Sequence, residues 1–179
     1  MSMERTSPDA DDIELLHRAG AGDAAAFHAL VDRHAQRLYR LAVSLVPNAT
    51  DAEDVLQETL IGAFRGLRSF EGRASVKTWL SGILVMQARQ WRRASRRKRF
   101  EPVSDSIPAS GPSADAALDV RAAIAQLSSE HREVVVLREF ERMSYEEIAE
   151  AIDVPRGTVE SRLHRARSEL REKLKAYLP

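Results

Sequence analysis

Residues 144–174 read SYEEIAEAIDVPRGTVESRLHRARSELREKL, and their pattern indicates how the second half of the chain folds. Ser144 followed by Glu147 is a capping-box pattern, which predicts the start of a short helix. Residues 153–155, Asp-Val-Pro, predict the end of that helix, and a longer helix is expected from about residue 156 to residue 177. A short helix, a tight turn and a longer helix form the helix-turn-helix arrangement. The spacing alone leaves a second interpretation open, a helical hairpin whose charged faces are solvated.

The last predicted helix has one apolar side, which fixes the side chains that face outward. Val159, Leu163 and Ala166 recur at helical spacing and are expected to pack on the preceding short helix. The other side is polar and basic, and an exposed helix of this width fits the major groove of duplex DNA, where arginine pairs with guanine. The outward-facing residues are Arg156, Glu160, Ser161, His164, Arg165 and Ser168, with Arg162, Arg167 and Arg171 nearer the sides, where they can neutralise phosphates.

The composition of the whole chain predicts an all-α protein. Its 179 residues are 44% apolar and 30% charged, aromatic residues make up 6%, and Ala, Leu, Glu and Arg dominate. The net charge is zero, so charge is informative only through its distribution along the chain. Cysteine is absent, which excludes disulfides, thiolate zinc sites and cysteine nucleophiles and suits a reducing compartment.

No segment has the length of a membrane span or the pattern of a secretory signal. The longest apolar stretch, residues 79–86, is too short to cross a bilayer. The first residues, MSMERTSPDADD, lack the hydrophobic core of a signal peptide. We therefore expect a cytoplasmic protein with no integral membrane segment.

Residues 101–117 divide the chain into two helical domains. This stretch, EPVSDSIPASGPSADAA, contains three prolines and lacks apolar periodicity, so it predicts an extended and flexible linker. An N-terminal helical bundle is expected over residues 1–100, and a C-terminal helix-turn-helix bundle over residues 118–179.

The N-terminal domain shows helical periodicity in four segments. A short helix is expected over residues 11–19, and a long one follows it. Thr50 with Glu53 predicts the start of a third helix, and Ser75 the start of a fourth. His34 falls on the apolar side of the second helix and is expected to be a packed core residue. The buried side of the third helix is predicted to comprise Ala52, Val55, Leu56, Thr59, Ala63, Phe64 and Leu67.

A run of cations lies at residues 89–99, RQWRRASRRKR, with no acid among them. Trp91 can stack on an unpaired base while the neighbouring cations follow the nucleic-acid backbone, which indicates a surface for single strands. Trp79 and Lys77 lie shortly before this run. Charge runs are also common at frayed, solvated helix ends, and RNA or an anionic lipid is an alternative ligand. The residues alone leave these interpretations open.

Acidic residues gather at the start of the third predicted helix. Carboxylates at a helix N-terminus interact favourably with the helix dipole, so part of this set is structural. A protein-binding face is the second interpretation, because an apolar residue lies off the buried side beside these acids. The candidate acidic face comprises Asp51, Asp54, Gln57, Glu58 and Ile61.

The sequence contains no catalytic or metal-binding pattern. Its five histidines are scattered, none of them in an HExxH or other ligand spacing, and no Gly-rich phosphate loop or GxSxG elbow is present. We therefore expect neither an enzyme nor a protein that needs a cofactor or metal.

Two long motifs resemble one known family. Residues 51–80, DAEDVLQETLIGAFRGLRSFEGRASVKTWL, closely resemble the core-binding and promoter-melting domain of the extracytoplasmic-function (ECF) sigma factors of bacterial RNA polymerase. Residues 144–174 resemble the C-terminal domain of the same family. The resemblance extends from about Gly22 to Leu174, in the family's order and with its short linker.

The resemblance implies a promoter-specificity subunit with three binding surfaces and no cofactor. The acidic face would bind the clamp helices of the largest subunit of core RNA polymerase, and the linker would enter the RNA-exit path. The minus-ten promoter element would contact Lys77, Trp79, Met86, Arg89, Trp91, Arg92, Arg93 and Arg96. The minus-thirty-five element would contact Arg156, Thr158, Glu160, Ser161, His164, Arg165 and Arg167. Sigma factors of this family are usually held inactive by an anti-sigma factor, which the resemblance also implies as a partner.

The chain departs from the family pattern at four positions. Ser81 and Gly82 stand where an aromatic residue and an arginine are common, and Met86 where an asparagine is common. These departures leave open which base is captured at the minus-ten element. Glu160 replaces a common lysine or arginine and can accept a hydrogen bond from cytosine N4, so a different minus-thirty-five sequence is expected.

Two other functions fit the residues. A stand-alone transcription regulator would use only the helix-turn-helix, with the N-terminal domain as a sensor or dimerisation unit. It would bind duplex DNA without polymerase, which separates it from a sigma factor. A helical adaptor that binds only proteins would tolerate joint replacement of Arg156, Arg165 and Trp91.

Overall fold

The computed structural model describes residues 8–98 and 116–175, and within these ranges all of the regular structure is helical. The prediction of an all-α fold is confirmed. Residues 101–115 of the predicted linker lie outside the described ranges, so the linker and the domain boundaries stay predictions. The α-helices are α1 (Pro8–Gly20), α2 (Ala24–Leu45), α3 (Ala49–Gly66), α4 (Val76–Lys98), α5 (Ala116–Ala125), α6 (Ser129–Val135), α7 (Tyr145–Ile152) and α8 (Arg156–Lys173). A short 3-10 helix (Leu67–Ser69) follows α3, and a π-helical segment (Val136–Phe140) follows α6.

Helices α1 to α4 form the N-terminal bundle, in which α2 contacts each of the other three. His34 of α2 is 9% exposed, which confirms it as a packed core residue. Its Nε2 lies 2.7 Å from the carboxylate of Asp12, which also accepts a hydrogen bond from Arg33. Burial lowers the pKa of His34 below its ordinary value, although the Asp12 carboxylate opposes that shift.

The start of α3 differs from its prediction. Asn48 is the N-cap, and its side-chain oxygen accepts a hydrogen bond from the Asp51 backbone N–H at 2.9 Å. Thr50 therefore lies inside the first turn, and the predicted capping box of Thr50 with Glu53 is wrong. The physical reason is that asparagine is as strong an N-cap as threonine and comes two residues earlier in the chain.

The buried side of α3 is narrower than predicted. Ala52, Val55 and Ala63 are almost completely buried, as expected. Phe64 is 58% exposed, so its assignment to the core is wrong. It follows Ala63 by about 100° of helix rotation, which carries its side chain off the buried stripe. Its ring packs edge-on against Phe27 at the surface, with the ring centroids 5.2 Å apart.

Helix α4 begins where the sequence predicts. Ser75 accepts a hydrogen bond from the Thr78 backbone N–H at 3.0 Å, which caps the first turn. Val76, Leu80 and Leu84 are buried, and α4 contacts both α2 and α3. Among the described residues, none of the helices combines the length and apolar content that crossing a membrane requires.

The helix-turn-helix is present as predicted. Ser144 and Glu147 form a complete capping box, with Ser144 Oγ accepting from the Glu147 N–H at 3.1 Å and Glu147 Oε2 from the Ser144 N–H at 2.7 Å. Asp153 adopts a left-handed conformation, with φ of 53°, and ends α7. Helix α8 ends at Lys173, earlier than the predicted residue 177.

Replacing Ser144 with alanine is expected to lower the free energy of unfolding by about 1 kcal/mol, because the capping box at the start of α7 is lost. Ser168→Ala is the matched control, since Ser168 is exposed inside α8 and alanine is a good helix former. Urea unfolding of both variants measures the difference. Equal stability of Ser144→Ala and wild type would contradict the assigned role of the cap.

Candidate functional site

The outer face of α8 is exposed, and its inner face anchors it to the domain. Val159, Leu163 and Ala166 are 0–1% exposed, and they pack in the core formed with α6 and α7. Thr158 is half-buried. The remaining residues predicted to contact the minus-thirty-five element are exposed, and they are Arg156, Glu160, Ser161, His164, Arg165 and Arg167.

Glu160 contacts Arg156, a neighbour on the same face of α8. Arg156 forms ion pairs with Glu160, one helical turn away, at an N–O distance of 3.0 Å, and with Glu146 of α7 at 2.7 Å. All three side chains are more than 40% exposed, so these ion pairs contribute little stability and a DNA group can replace them. Glu160, predicted to contact the minus-thirty-five element, therefore lies beside a second residue predicted to do so, Arg156.

Two other arginines of α8 are tied to the rest of the C-terminal domain. Arg162 is largely buried and pairs with Glu130 of α6 at 3.1 Å. Arg167 donates to Glu139 at 2.9 Å, and that carboxylate raises the pKa of Arg167 above its already high ordinary value. These pairs link α8 to α6 and to the π-helical segment Val136–Phe140 that follows it.

The residues predicted to contact the minus-ten element all lie on α4 and fall into two groups, according to whether the C-terminal domain binds their side chains. Met86, Arg93 and Arg96 are exposed, and Trp79 and Trp91 are half-buried. The Trp79 ring packs against Phe70, with ring centroids 5.3 Å apart. The second group comprises Lys77, Arg89 and Arg92, whose side chains bind acceptors on the C-terminal domain.

Ser81 and Gly82, two of the departures from the family pattern, lie where α4 meets the C-terminal domain. Ser81 is fully buried and accepts a hydrogen bond from Arg37 at 3.0 Å. A Cβ atom at Gly82 would come within 2.7 Å of the Ala151 backbone oxygen in α7. Glycine at this position therefore permits close approach of the two helices.

The acidic face of α3 lies on the surface. Asp54, Gln57 and Glu58 are exposed and Ile61 is 42% exposed. Asp51 is half-buried, and its carboxylate accepts a hydrogen bond from the Asn48 side chain at 2.7 Å. Asp51 thus has a structural role at the helix start, while the other residues of the face have no ion pair within the described residues.

Sequence reasoning missed Glu133 and Glu141, two buried acids of the C-terminal domain. Glu133 is 1% exposed and Glu141 is 7% exposed. Glu133 directly precedes the apolar run Val134 to Leu137, and an acid inside a buried segment needs a cationic partner. The position of Glu133 beside an apolar run could therefore have indicated a buried ion pair, although the sequence does not identify the cation that forms it. Within residues 8–98 and 116–175, no group of three metal-ligating side chains is present.

Comparisons with known families identify both halves of this arrangement. The model of Sigma-70 region 2 matches residues 30–98, and that of Sigma-70, region 4 matches residues 117–170. The first match contains the acidic face and α4, and the second contains the helix-turn-helix. Together with the fold, they define the chain as a DNA-binding transcription initiation factor and not an enzyme.

Individual relatives narrow the class. The ECF RNA polymerase sigma factor SigE of Mycolicibacterium smegmatis is 38% identical over 166 residues, which are 86% of this chain and 64% of that protein. SigM of Mycobacterium tuberculosis, also an ECF RNA polymerase sigma factor, is 35% identical over 89% of this chain and 82% of its own length. The chain belongs to the ECF sigma factors of RNA polymerase.

Two solved structures share the fold. CnrH, in complex with the cytosolic domain of CnrY, is 30% identical with a TM-score of 0.72, over 93% of this chain and 98% of that chain. The sigma factor RpoE of Bartonella quintana, in complex with the anti-sigma factor NepR, is 30% identical with a TM-score of 0.68. That match covers 83% of this chain and 96% of RpoE.

Proposed function

We propose that this chain binds core RNA polymerase and directs transcription initiation at promoters that it selects through two DNA surfaces. Residues 1–100 bind the polymerase and the minus-ten element, residues 101–117 are the linker, and residues 118–179 bind the minus-thirty-five element. The protein acts in the cytoplasm, where the polymerase is.

One observation carries this proposal: two separate polar surfaces, on α8 and α3, are exposed on helices whose opposite sides are buried. The exposed face of α8 is backed by Val159, Leu163 and Ala166, and the acidic face of α3 by Ala52 and Val55. A rigid helix with a basic outer side suits the major groove. The exposed carboxylates of α3 repel DNA phosphates, which favours a protein as the partner of that face.

The polymerase-binding residues in this proposal are Asp54, Gln57, Glu58 and Ile61, together with Asp51, and the clamp helices of the largest subunit are the surface they bind. The minus-ten element is opened and held by the cations and tryptophans of α4, because unpaired bases stack on aromatic rings while cations neutralise the backbone. Contacts with the opened strands offset the free energy of melting, and no cofactor is required.

An anti-sigma factor is the proposed regulatory partner. One of the solved relatives is in complex with an anti-sigma factor, and its fold covers most of this chain. A partner that covers the α3 face or the α8 face prevents polymerase or promoter binding. Mixing this chain with such a partner is expected to abolish initiation in proportion to the amount of complex formed.

Initiation by reconstituted polymerase tests the proposal. Bacterial core polymerase, this chain and a promoter library are expected to give transcripts that start at specific positions, whereas core polymerase alone gives none. Six or more phosphate contacts predict that promoter affinity falls about a thousandfold or more between 50 and 200 mM salt. Failure of core polymerase to bind the chain at micromolar concentration would overturn the proposal, and specific duplex binding by the chain alone would favour a stand-alone regulator.

A further inference from the structure

We infer that in the free protein the C-terminal domain binds the same α4 cations that contact the minus-ten element, and thereby blocks that site. The inference rests on the proposed role of α4 in DNA binding. It assigns α6, α7 and the segment between them, residues 136–144, a second function beside support of the helix-turn-helix. They form the intramolecular partner of the minus-ten surface.

Glu133 of α6 is the centre of this contact. Its carboxylate is 1% exposed and accepts hydrogen bonds from Arg89 Nη2 at 2.8 Å and Nε at 3.1 Å, and from Arg92. Two nitrogens of one guanidinium on one carboxylate is the geometry with which arginine also binds phosphate. Glu133 therefore occupies two of the cations at the place where a DNA phosphate would bind.

Glu141 makes a second contact on the same side of α4. It is 7% exposed, its carboxylate accepts from Arg37 of α2, and its backbone oxygen accepts from Lys77 Nζ. Arg37 also donates to Ser81 at 3.0 Å. Lys77, Arg89 and Arg92 are thus all bound by acceptors of the C-terminal domain, and they lie along one side of α4.

Gly82 sets how closely the two domains approach. An added Cβ would lie 2.7 Å from the Ala151 oxygen and 3.4 Å from the Ala151 Cα atom, and both of these are backbone atoms. The only way to accommodate a side chain there is to move α4 and α7 apart. The departure of Gly82 from the family pattern has a direct physical role here, because a larger residue prevents this contact.

The blocked surface and the free surfaces lie on different helices. The acidic face of α3 and the outer face of α8 are exposed in the same structure in which Lys77, Arg89 and Arg92 are covered. Polymerase can therefore bind first, and DNA reaches the complete minus-ten surface only after α4 and α7 separate. A free sigma subunit with this contact binds single-stranded DNA weakly.

Gly82→Ala opens the contact without weakening α4. Inside a helix alanine is more favourable than glycine, so the N-terminal domain keeps its stability while the added methyl group collides with α7. Gly157→Ala is the matched control, because Gly157 also lies in a helix and has nothing within 4 Å of its added Cβ. Glu133→Gln is the second variant, which keeps the shape of the side chain and removes its charge.

Energy transfer between two dyes measures the separation of the domains. The chain has no cysteine, so cysteines placed at the exposed Gln36 and Glu172 are labelled specifically. Transfer efficiency is expected to fall in Gly82→Ala and Glu133→Gln and to stay at the wild-type value in Gly157→Ala. Unchanged efficiency in both opening variants would overturn the inference.

Binding of a short mixed-sequence DNA single strand, measured without polymerase, tests the blocking itself. In Gly82→Ala the side chains of Lys77, Arg89 and Arg92 are expected to be free to bind DNA phosphates. The slope of log affinity against log salt should then be steeper than that of wild type by about two, since each phosphate contact on a single strand contributes roughly 0.7. The inference would be overturned if the dye measurement shows that the domains of a variant have separated while the salt dependence of its DNA affinity equals that of wild type. Failure of the proposed function would give a different result. The variants would still show separated domains and a steeper salt dependence, but polymerase carrying the wild-type chain would initiate at no promoter.

Discussion

Replacing Asp54 and Glu58 together with lysine is expected to weaken binding of core RNA polymerase about a hundredfold or more. Both carboxylates are exposed on the acidic face of α3, so the substitutions reverse the charge that the polymerase meets. Like charges placed opposite each other across an interface cost several kcal/mol, and about 1.4 kcal/mol corresponds to a tenfold change in affinity. Fluorescence anisotropy of labelled sigma factor, titrated with core polymerase, measures the loss.

The control for this prediction carries the same change in net charge on another surface. Glu14 in α1 and Asp32 in α2 are exposed, and replacing both with lysine is expected to leave the polymerase affinity within about threefold of wild type. Thermal unfolding confirms that both double variants are folded. An equal loss in the two variants would mean that net charge, rather than the α3 face, determines binding.

The start of α7 and the turn before α8 could be predicted from the sequence, because their signals are local, whereas the end of α8 was placed four residues too late. The Ser144 capping box and the Asp153 turn lie within a few residues of the elements they bound, and both are present. At the start of α3 two cap residues compete within three positions, and local pattern alone did not decide between Asn48 and Thr50. The predicted burial of Phe64 was wrong for a related reason, since adjacent helix positions can differ between buried and exposed, as Ala63 and Phe64 do.

The contact between the two domains could not be predicted in the same way. Helical periodicity identifies which side of α4 is buried, but it does not identify the element that covers it. Arg89 and Glu133 are 44 residues apart in the chain, and Arg37 and Glu141 are 104 apart. The sequence therefore shows the cluster of cations, whereas the acids that neutralise part of it depend on the tertiary arrangement.

Arg165→Ala is expected to reduce initiation about tenfold to a hundredfold at a promoter with its preferred minus-thirty-five element. Arg165 is exposed on the outer face of α8, where a bidentate contact with guanine contributes about 1–3 kcal/mol of discrimination. Promoters with a randomised minus-thirty-five element, transcribed by the reconstituted polymerase and sequenced, reveal which base each position requires. The variant is expected to lose the requirement at one position and to keep the others.

Arg171→Ala separates this base contact from general attraction to DNA. Arg171 lies on the same helix, about 9 Å further along its axis and rotated by about 120°, so it reaches phosphates at most. Loss of a phosphate contact weakens every promoter alike and lowers the salt dependence, whereas loss of a base contact changes the selected sequence. If the selected sequence is identical in wild type and Arg165→Ala, then Arg165 contacts only the backbone, and base recognition belongs to the residues nearer the start of α8, where Arg156 and Glu160 form an ion pair.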